Sequence, residues 1–433
     1  RQVLLVIMLL AGVPIAVALA VSSICAILPV LNTGAAVLTG AQRIFSGISV
    51  FSLLAIPFFI LAGNIMNNGG IAVRLVNVAK VLSGRMPGAL AQSNVVANMM
   101  FGAISGSGAA AAAAIGGTMG PLEEQEGYDK VFSTAVNIAS APTGMLIPPS
   151  NLMIVYSTVA GSVSVAALFV AGYVPGILWG IGVMALVAYF AKKKGYVSEA
   201  RVDLKTALHV IVDAIPSLLL IVIIIGGILG GVFTATEGSA IAVVYATVLS
   251  LIYKNIKLRD LPGIILESAK MTGIITFMIG LSSIMSWGMS FTGIPDMIGS
   301  GILALTSNKY AILILMNIII LIVGTFMDPT PAILIFTPIF LPVCQSFGMN
   351  PIHFGIMISF NLVQFVKMFI GIEVILLGRT MFVKAESENA PTPKSSMLLI
   401  SILSNVEPEK AYLPSSLTFF KSKASRFGQL EKA

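Results

Sequence analysis

GTFMDPTPAILIFTPIFLPV, residues Gly324–Val343, is apolar along almost its whole length. It nevertheless holds one carboxylate, Asp328, and four prolines, Pro329, Pro331, Pro338 and Pro342. The apolar run Tyr310 to Val323 leads straight into it. In hydrocarbon every backbone N–H and C=O needs a partner, so unwound chain survives only inside protein or beside a watery cavity. Proline removes a donor and breaks the helix. The stretch therefore predicts a re-entrant hairpin with its tip at Gly324 and Pro329–Pro331. Freed carbonyls at such a tip can coordinate a cation, and helix N-termini can hold an anion. Asp328 fits either as a cation ligand or as the N-cap of the next half-helix. Gly324, Thr325 and Asp328 are the candidate ion-binding residues here, and Thr330 and Pro331 the candidate substrate-binding ones.

The composition supports a membrane setting. Of 433 residues, 57% are hydrophobic and 10% charged, and the mean hydropathy is +0.98. A soluble domain carries roughly 25% charged residues. Gln2–Gln42, Met86–Leu122 and Val131–Ala191 contain no Asp, Glu, Lys, Arg or His. With about 20 apolar residues per span, the chain has room for roughly ten to twelve membrane-embedded segments. The runs lack the alternation of outer-membrane strands, so the spans are helical. The net charge is +7. Its basic residues sit at segment ends, most densely in Ala191–Lys205, which the positive-inside rule makes a cytoplasmic loop. The charge thus points to a lipid membrane and not to nucleic acid. Cys25, Cys344, His209 and His353 have no metal-ligand spacing, so no cofactor or metal beyond a coupling ion is expected. The opening apolar run reads as a retained first span rather than a cleaved signal.

The basic loop divides the chain into residues 1–195 and 196–383, followed by a polar stretch, 384–433. In the first half, GSGAAAAAAIGGTMGP runs from Gly106 to Pro121, and Gly127 follows six residues later. In the second half a run ends at Pro342, and Gly348 follows at the same distance. Each half thus has a broken apolar hairpin, a proline, a turn of fixed length and a helix. Gly/Pro-interrupted segments at corresponding positions of two halves characterise inverted-repeat transporters.

The first half contains another break, ASAPTGMLIPPSNLMIVY, Ala139–Tyr156, interrupted by Pro142, Gly144, Pro148 and Pro149. Ser140, Thr143, Ser150 and Asn151 supply oxygens. The alternative is a proline-kinked helix whose hydroxyls bond along their own turns. The unwound reading makes Ser105, Gly106, Ser107, Pro148, Pro149 and Ser150 candidate ion-binding residues. It makes Thr143 and Asn151 candidate substrate-binding ones. For Ser105–Gly108, close helix packing is the competing role. Among the other acids, Glu237 reads as a helix-start residue, Asp213 as a cap at a helix entry, and Asp296 as a loop residue.

ISVFSLLAIPFFILAGNIMNNGGIA, FGAISGSGAAAAAAIGG, the IPPS of Ile147–Ser150, GGVFTATEGSAIAVVYA and GTFMDPTPAILIFTPIFLP together resemble the large membrane subunit of tripartite ATP-independent periplasmic (TRAP) transporters. The resemblance runs from near Arg1 to about Leu362. It implies an all-α polytopic protein of the bacterial inner membrane, with an inverted repeat and two re-entrant hairpins of the elevator type. It also implies sodium-driven import of a small organic acid. A soluble periplasmic substrate-binding protein would deliver that acid, and a small four-helix membrane subunit would accompany the large one. Carried onto this chain, one sodium site corresponds to Ser105–Gly108 with the Pro148–Asn151 break, and the second hairpin to Gly324–Pro342.

Beyond Ile358–Leu362 the resemblance fails. A second Pro-Pro break of the form Gly-x-x-Thr-Pro-Pro-x-Gly is expected there. The chain instead reads VQFVKMFIGIEVILLGRT, with Lys367 and Glu373 at uncharged positions. From about Lys384 onward it turns polar, which predicts a disordered tail or a reading-frame shift near Asn361. The second half would then be truncated after about Leu362. The leading reading is a transporter subunit. Its competitors are a transport-inactive remnant of such a subunit, a channel, and a membrane enzyme. No Ser–His or Asp–Asp pair lies in the broken segments to support the last.

Overall fold

The computed structural model describes residues 13–28, 31–161, 163–196, 203–293, 308–326 and 329–363, together with positions 4, 5, 7, 8, 297, 300 and 301. Asp296, Asp328, Lys367, Glu373 and the polar stretch 384–433 lie outside these residues. The described chain is helical throughout, without a strand. Helices α1 (Ile15–Ile27), α2 (Thr33–Ile48), α3 (Ala55–Asn68) and α4 (Ile71–Ser83) lead into α5 (Ala89–Ser105) and α6 (Gly108–Gln125). Then follow α7 (Lys130–Ser140), the single-turn α8 (Thr143–Leu146), α9 (Asn151–Ala160) and α10 (Val165–Lys194). The second half holds α11 (Leu204–Leu229), α12 (Ala235–Ile252), α13 (Leu261–Phe291), α14 (Lys309–Phe326) and α15 (Pro329–Ser346). Pro351–Val363, here α16, closes the described chain.

Among the described residues six helical stretches are long and apolar enough to cross a bilayer, or seven if the bent pair Lys130–Leu146 and Asn151–Ala160 is one span, with a 46° bend; Ile15–Cys25, Lys309–Gly324 and Pro351–Val363 are shorter apolar helices. Short pieces such as α8 and α9 cannot by themselves reach across about 30 Å of hydrocarbon at about 1.5 Å per residue.

Gly324 does not lie at an unwound tip. Helix α14 runs through Gly324 to Phe326, and α15 starts at Pro329. Pro329 and Pro331 lie in the first turn of α15, where backbone N–H groups have no intrahelical acceptor to lose. Pro338 and Pro342 sit inside α15, which continues past them.

Between apolar helices in lipid there is no hydrophobic gain, so close backbone approach does the holding. Helix α10 shows this. Val170, Val174, Leu178 and Ile181 are exposed, whereas Gly172, Gly176 and Gly180, spaced four apart, form a buried stripe. A Cβ on Gly172 would stand 2.7 Å from the Leu146 carbonyl oxygen, one on Gly176 2.7 Å from Ile147, and one on Gly180 2.3 Å from the Met99 sulfur. The stripe therefore seats α10 on α5 and α8.

Several polar groups outside the broken segments have definite partners. Glu237 is a helix-start residue, as its sequence context suggests. The Thr234 N–H donates to its carboxylate at 2.7 Å and its own N–H returns to the Thr234 hydroxyl at 3.3 Å. Asp213 is not a cap. It lies within α11, 3.0 Å from Arg74 Nε of α4, and the Arg74 guanidinium stacks 3.4 Å over the Tyr253 ring. Trp179 is a packing residue, donating from Nε1 to the Ala139 carbonyl at 3.0 Å with its ring edge on Phe360.

The two halves meet along several helix pairs, most extensively α3 with α12, and also where α9 packs on α15. Tyr156 donates to the Pro351 carbonyl at 2.6 Å and its ring lies against Phe354. The turns following α6 and α15 are built alike. Gly127 has φ +78° and Gly348 φ +81°. The next N–H in each closes back on the helix, Tyr128 to the Glu123 carbonyl at 2.9 Å and Met349 to that of Cys344 at 3.0 Å. Asp129 then accepts from the Val131 N–H at 3.0 Å, and Asn350 from that of Ile352 at 2.8 Å. Each residue of the first turn is matched at one constant offset in the second.

Candidate ion site at the first hairpin

Helix α5 ends at Ser105 because Gly106 turns left-handed, with φ +60°. Ser107 then caps α6, its hydroxyl accepting the Ala110 N–H at 3.3 Å. The Ser105 hydroxyl lies 3.4 Å from both the N–H and the carbonyl of Ser107, bracing the tip. Gly106 has no room for a side chain. A Cβ there would be 3.0 Å from the Pro149 carbonyl oxygen and 3.2 Å from the Asn151 nitrogen. The hairpin tip is therefore docked on the second break.

That break is unwound between α8 and α9. Ile147 is extended, the Pro148–Pro149 peptide is cis, and Ser150 is extended as the N-cap of α9. The Ser150 hydroxyl donates to the Met145 carbonyl at 2.5 Å and accepts the Met153 N–H at 3.4 Å. Thr143 donates to the Ser140 carbonyl at 2.6 Å. These hydroxyls do bond along their own chain, as the kinked-helix alternative requires. Asn151 differs: its Oδ1 is buried with no hydrogen-bond partner. An orphaned buried acceptor costs about 1–3 kcal/mol, which a bound donor or cation would relieve. The N-termini of α6 and α9, both electropositive, converge at this tip. The arrangement offers oxygens from a serine cap, a prolyl carbonyl and an amide to a cation, beside helix starts that suit an anion.

The structure thus brings together Ser105, Gly106 and Ser107 with Pro148, Pro149, Ser150 and Asn151. Thr143 is set apart, fully buried at the start of α8. In the second half, Gly324 belongs to α14 and packs on α16, where a Cβ would be 3.2 Å from the Leu362 Cα. Pro329 and Pro331 are buried in the first turn of α15, and Thr330 beside them is half-buried. Thr325 is placed by its backbone in the last turn of α14, and Asp328 falls outside the described residues.

One polar cluster went unread in the sequence. Asn98 of α5 donates to Asn137 Oδ1 and to the Ser140 hydroxyl, both at 2.9 Å, and Asn137 donates to the Ala112 carbonyl at 2.9 Å. This ties both arms of the hairpin to α7. The signal was the pair Asn94 and Asn98, one helical turn apart in a charge-free run.

The family model described as "Tripartite ATP-independent periplasmic transporter, DctM component" matches residues 2–365. The chain belongs to the DctM family. It is 54% identical over 356 residues to the uncharacterized protein YgiK of Salmonella typhimurium, covering 82% of each chain. It is also 36% identical over 374 residues to the C4-dicarboxylate TRAP transporter large permease protein DctM of Rhodobacter capsulatus, covering 83% of this chain and 84% of that one. The crystal structure of the Alcanivorax borkumensis YdaH transporter superposes with a TM-score of 0.56 at 13% identity, covering 81% and 82% of the two chains. That likeness shows the fold alone. With its spanning helices, this DctM-family chain is a multi-pass bacterial inner-membrane protein and a transporter subunit, not an enzyme.

Proposed function

We propose that this DctM-family chain is the large membrane subunit of a sodium-coupled secondary transporter that imports a small organic acid. A periplasmic binding protein delivers the acid, and a small four-helix membrane subunit stands beside the large one. The observation that carries the reading is the docking of the Gly106–Ser107 tip onto the Pro148–Asn151 break. Sodium is held there by Ser105, Ser107, the Pro149 carbonyl and Asn151 Oδ1. Coupling follows from the field: moving one charge through 100 mV is worth about 2.3 kcal/mol. The carboxylate of the substrate meets helix N-termini at the two breaks. The matched turns after α6 and α15 support an inverted repeat, with α15 as the counterpart of α6. Hairpins that travel as a unit past a scaffold give elevator-type access.

The similarity to a C4-dicarboxylate permease makes small dicarboxylic acids the first substrates to try. The test is uptake by proteoliposomes holding this chain, its small subunit and its binding protein, with an inward sodium gradient. Accumulation of an acid above the outside concentration, lost when the gradient is collapsed, is expected. Equilibration without accumulation would indicate a channel, and accumulation indifferent to sodium would overturn the coupling ion.

A further inference from the structure

The base of the first hairpin holds a carboxyl group that the ion site does not use. Glu123 lies near the surface end of α6, outside the six spanning stretches. Its neighbours Glu124, Gln125 and Glu126 are exposed, whereas Glu123 is 0% exposed. One carboxyl oxygen accepts from Asn94 Nδ2 at 3.2 Å. The other, Oε2, is buried with no partner, and so is the hydroxyl of Ser133 on α7.

Charge accounting around this group is one-sided. Among the described residues no cation pairs with Glu123. Lys130 is engaged by Glu124 at 2.5 Å, and Lys194 by Asp129 at 2.6 Å. Of the α4 cations, Arg74 is taken by Asp213 and Lys80 is half-exposed. Helices α3 and α8 carry no ionisable side chain where they meet α6. What faces Glu123 is neutral: Asn94 of α5, Ser133 of α7 and the phenol of Tyr128 from the turn. Tyr196, from the end of α10, covers the turn by stacking on Tyr128 at 4.4 Å.

A carboxylate sealed from water without a counter-ion is costly, whereas a neutral acid in the same hole is not. Nor does Glu123 stand alone. Asn94 Oδ1 accepts from Asn98 at 2.8 Å, and Asn98 reaches Asn137 and Ser140. A buried polar chain therefore runs from Glu123 along α5 to Ser140 at the end of α7.

We propose that Glu123 is a proton-binding site at the base of the first hairpin, holding one proton at neutral pH between Asn94 and Ser133. The site is separate from the sodium site at the tip and shares no ligand with it. Burial pushes the Glu123 carboxyl up to about 7, outweighing the neighbouring Asn94 amide and Ser133 hydroxyl, which pull it down. This places its titration within the physiological range. The proposal does not rest on the transport reading, because proton binding is read on the resting protein.

The test is infrared difference spectroscopy on the full chain in lipid vesicles, titrated from acid to alkaline pH. The expected result is a carbonyl band of a protonated carboxylic acid that persists at neutral pH and shifts with isotopically labelled glutamate. The band should disappear with a midpoint well above the ~4.3 of a free glutamate. It should be absent from Glu123→Gln, an isostere of the neutral acid. It should also be unmoved by sodium at fixed pH. Absence of the band at neutral pH, or its survival in Glu123→Gln, would overturn the proposal. Loss of the band on adding sodium would overturn it too, by showing that the carboxyl binds a cation instead. If Glu123→Gln does not fold, Ser133→Ala should move the band or its midpoint, and an unmoved band would count against the site.

Discussion

The backbones of Gly102 and Gly144 touch: a Cβ on Gly102 would stand 2.1 Å from the Gly144 Cα. This crossing of α5 and α8 holds the first arm of the hairpin against the unwound segment, and with it Gly106 against Pro149. Gly102→Ala must push backbone against backbone, which costs about 1–3 kcal/mol. Thermal unfolding of the detergent-solubilised chain should show a lower midpoint. Gly117→Ala is the control, since nothing lies within 4 Å of a Cβ there and alanine suits a helix better by about 1 kcal/mol. It should raise the midpoint. Equal effects of the two substitutions would contradict the crossing.

Asn151 makes an opposite kind of prediction. Its unpartnered Oδ1 is a cost in the ion-free state. Asn151→Leu removes that orphan, so the variant should be as stable as the parent or up to about 2 kcal/mol more stable without sodium. Thermal unfolding in choline buffer checks this. A clear loss of stability would show that Oδ1 is needed by the fold and not by a ligand.

Tyr156 joins the halves through its hydroxyl on the Pro351 carbonyl, 2.6 Å away in a buried setting. Tyr156→Phe leaves the ring packing intact and removes the bond, while the Pro351 carbonyl keeps its partner inside α16. A loss of about 0.5–1.5 kcal/mol is expected. A change under about 0.5 kcal/mol, within the range of ordinary surface substitutions, would mean that the bond contributes little.

Arg74 and Asp213 form an unequal pair. Asp213 is half-exposed, so Asp213→Asn should cost no more than about 1 kcal/mol. Arg74 also stacks on Tyr253 and donates to the Gly70 carbonyl at 3.2 Å. Arg74→Ala should therefore cost more than Asp213→Asn, by about 1–2 kcal/mol. Comparing the two unfolding midpoints decides it, and equal losses would contradict the stacking role.

Much of this was legible in the sequence, because a bilayer leaves few choices. Charge-free runs with no β alternation had to be helices. The glycines and prolines at 106–108 and 148–151 pointed to breaks, although close packing and a proline kink competed for them until the structure showed Gly106 left-handed and Ile147 and Ser150 extended. That the two breaks touch depends on tertiary packing, which the pattern along the chain does not carry. The prolines of the second hairpin misled for a definite reason. Proline is welcome in a first turn, as at Pro329 and Pro331, and α15 also continues past Pro338 and Pro342, so the prolines alone do not mark where a helix ends. Asp213 misled similarly, since its partner Arg74 comes from a distant helix. Glu123 sits among exposed acids in the sequence, and only the fold buries it.

The measurement that bears most directly on the central claim is sodium binding by the full chain, read by titration calorimetry against a constant background of potassium. Saturable heat is predicted for the parent protein. It should be lost or weakened at least tenfold in Asn151→Leu and Ser107→Ala while both variants keep their helical content. Undiminished sodium binding in both variants would contradict a sodium site at the hairpin tip.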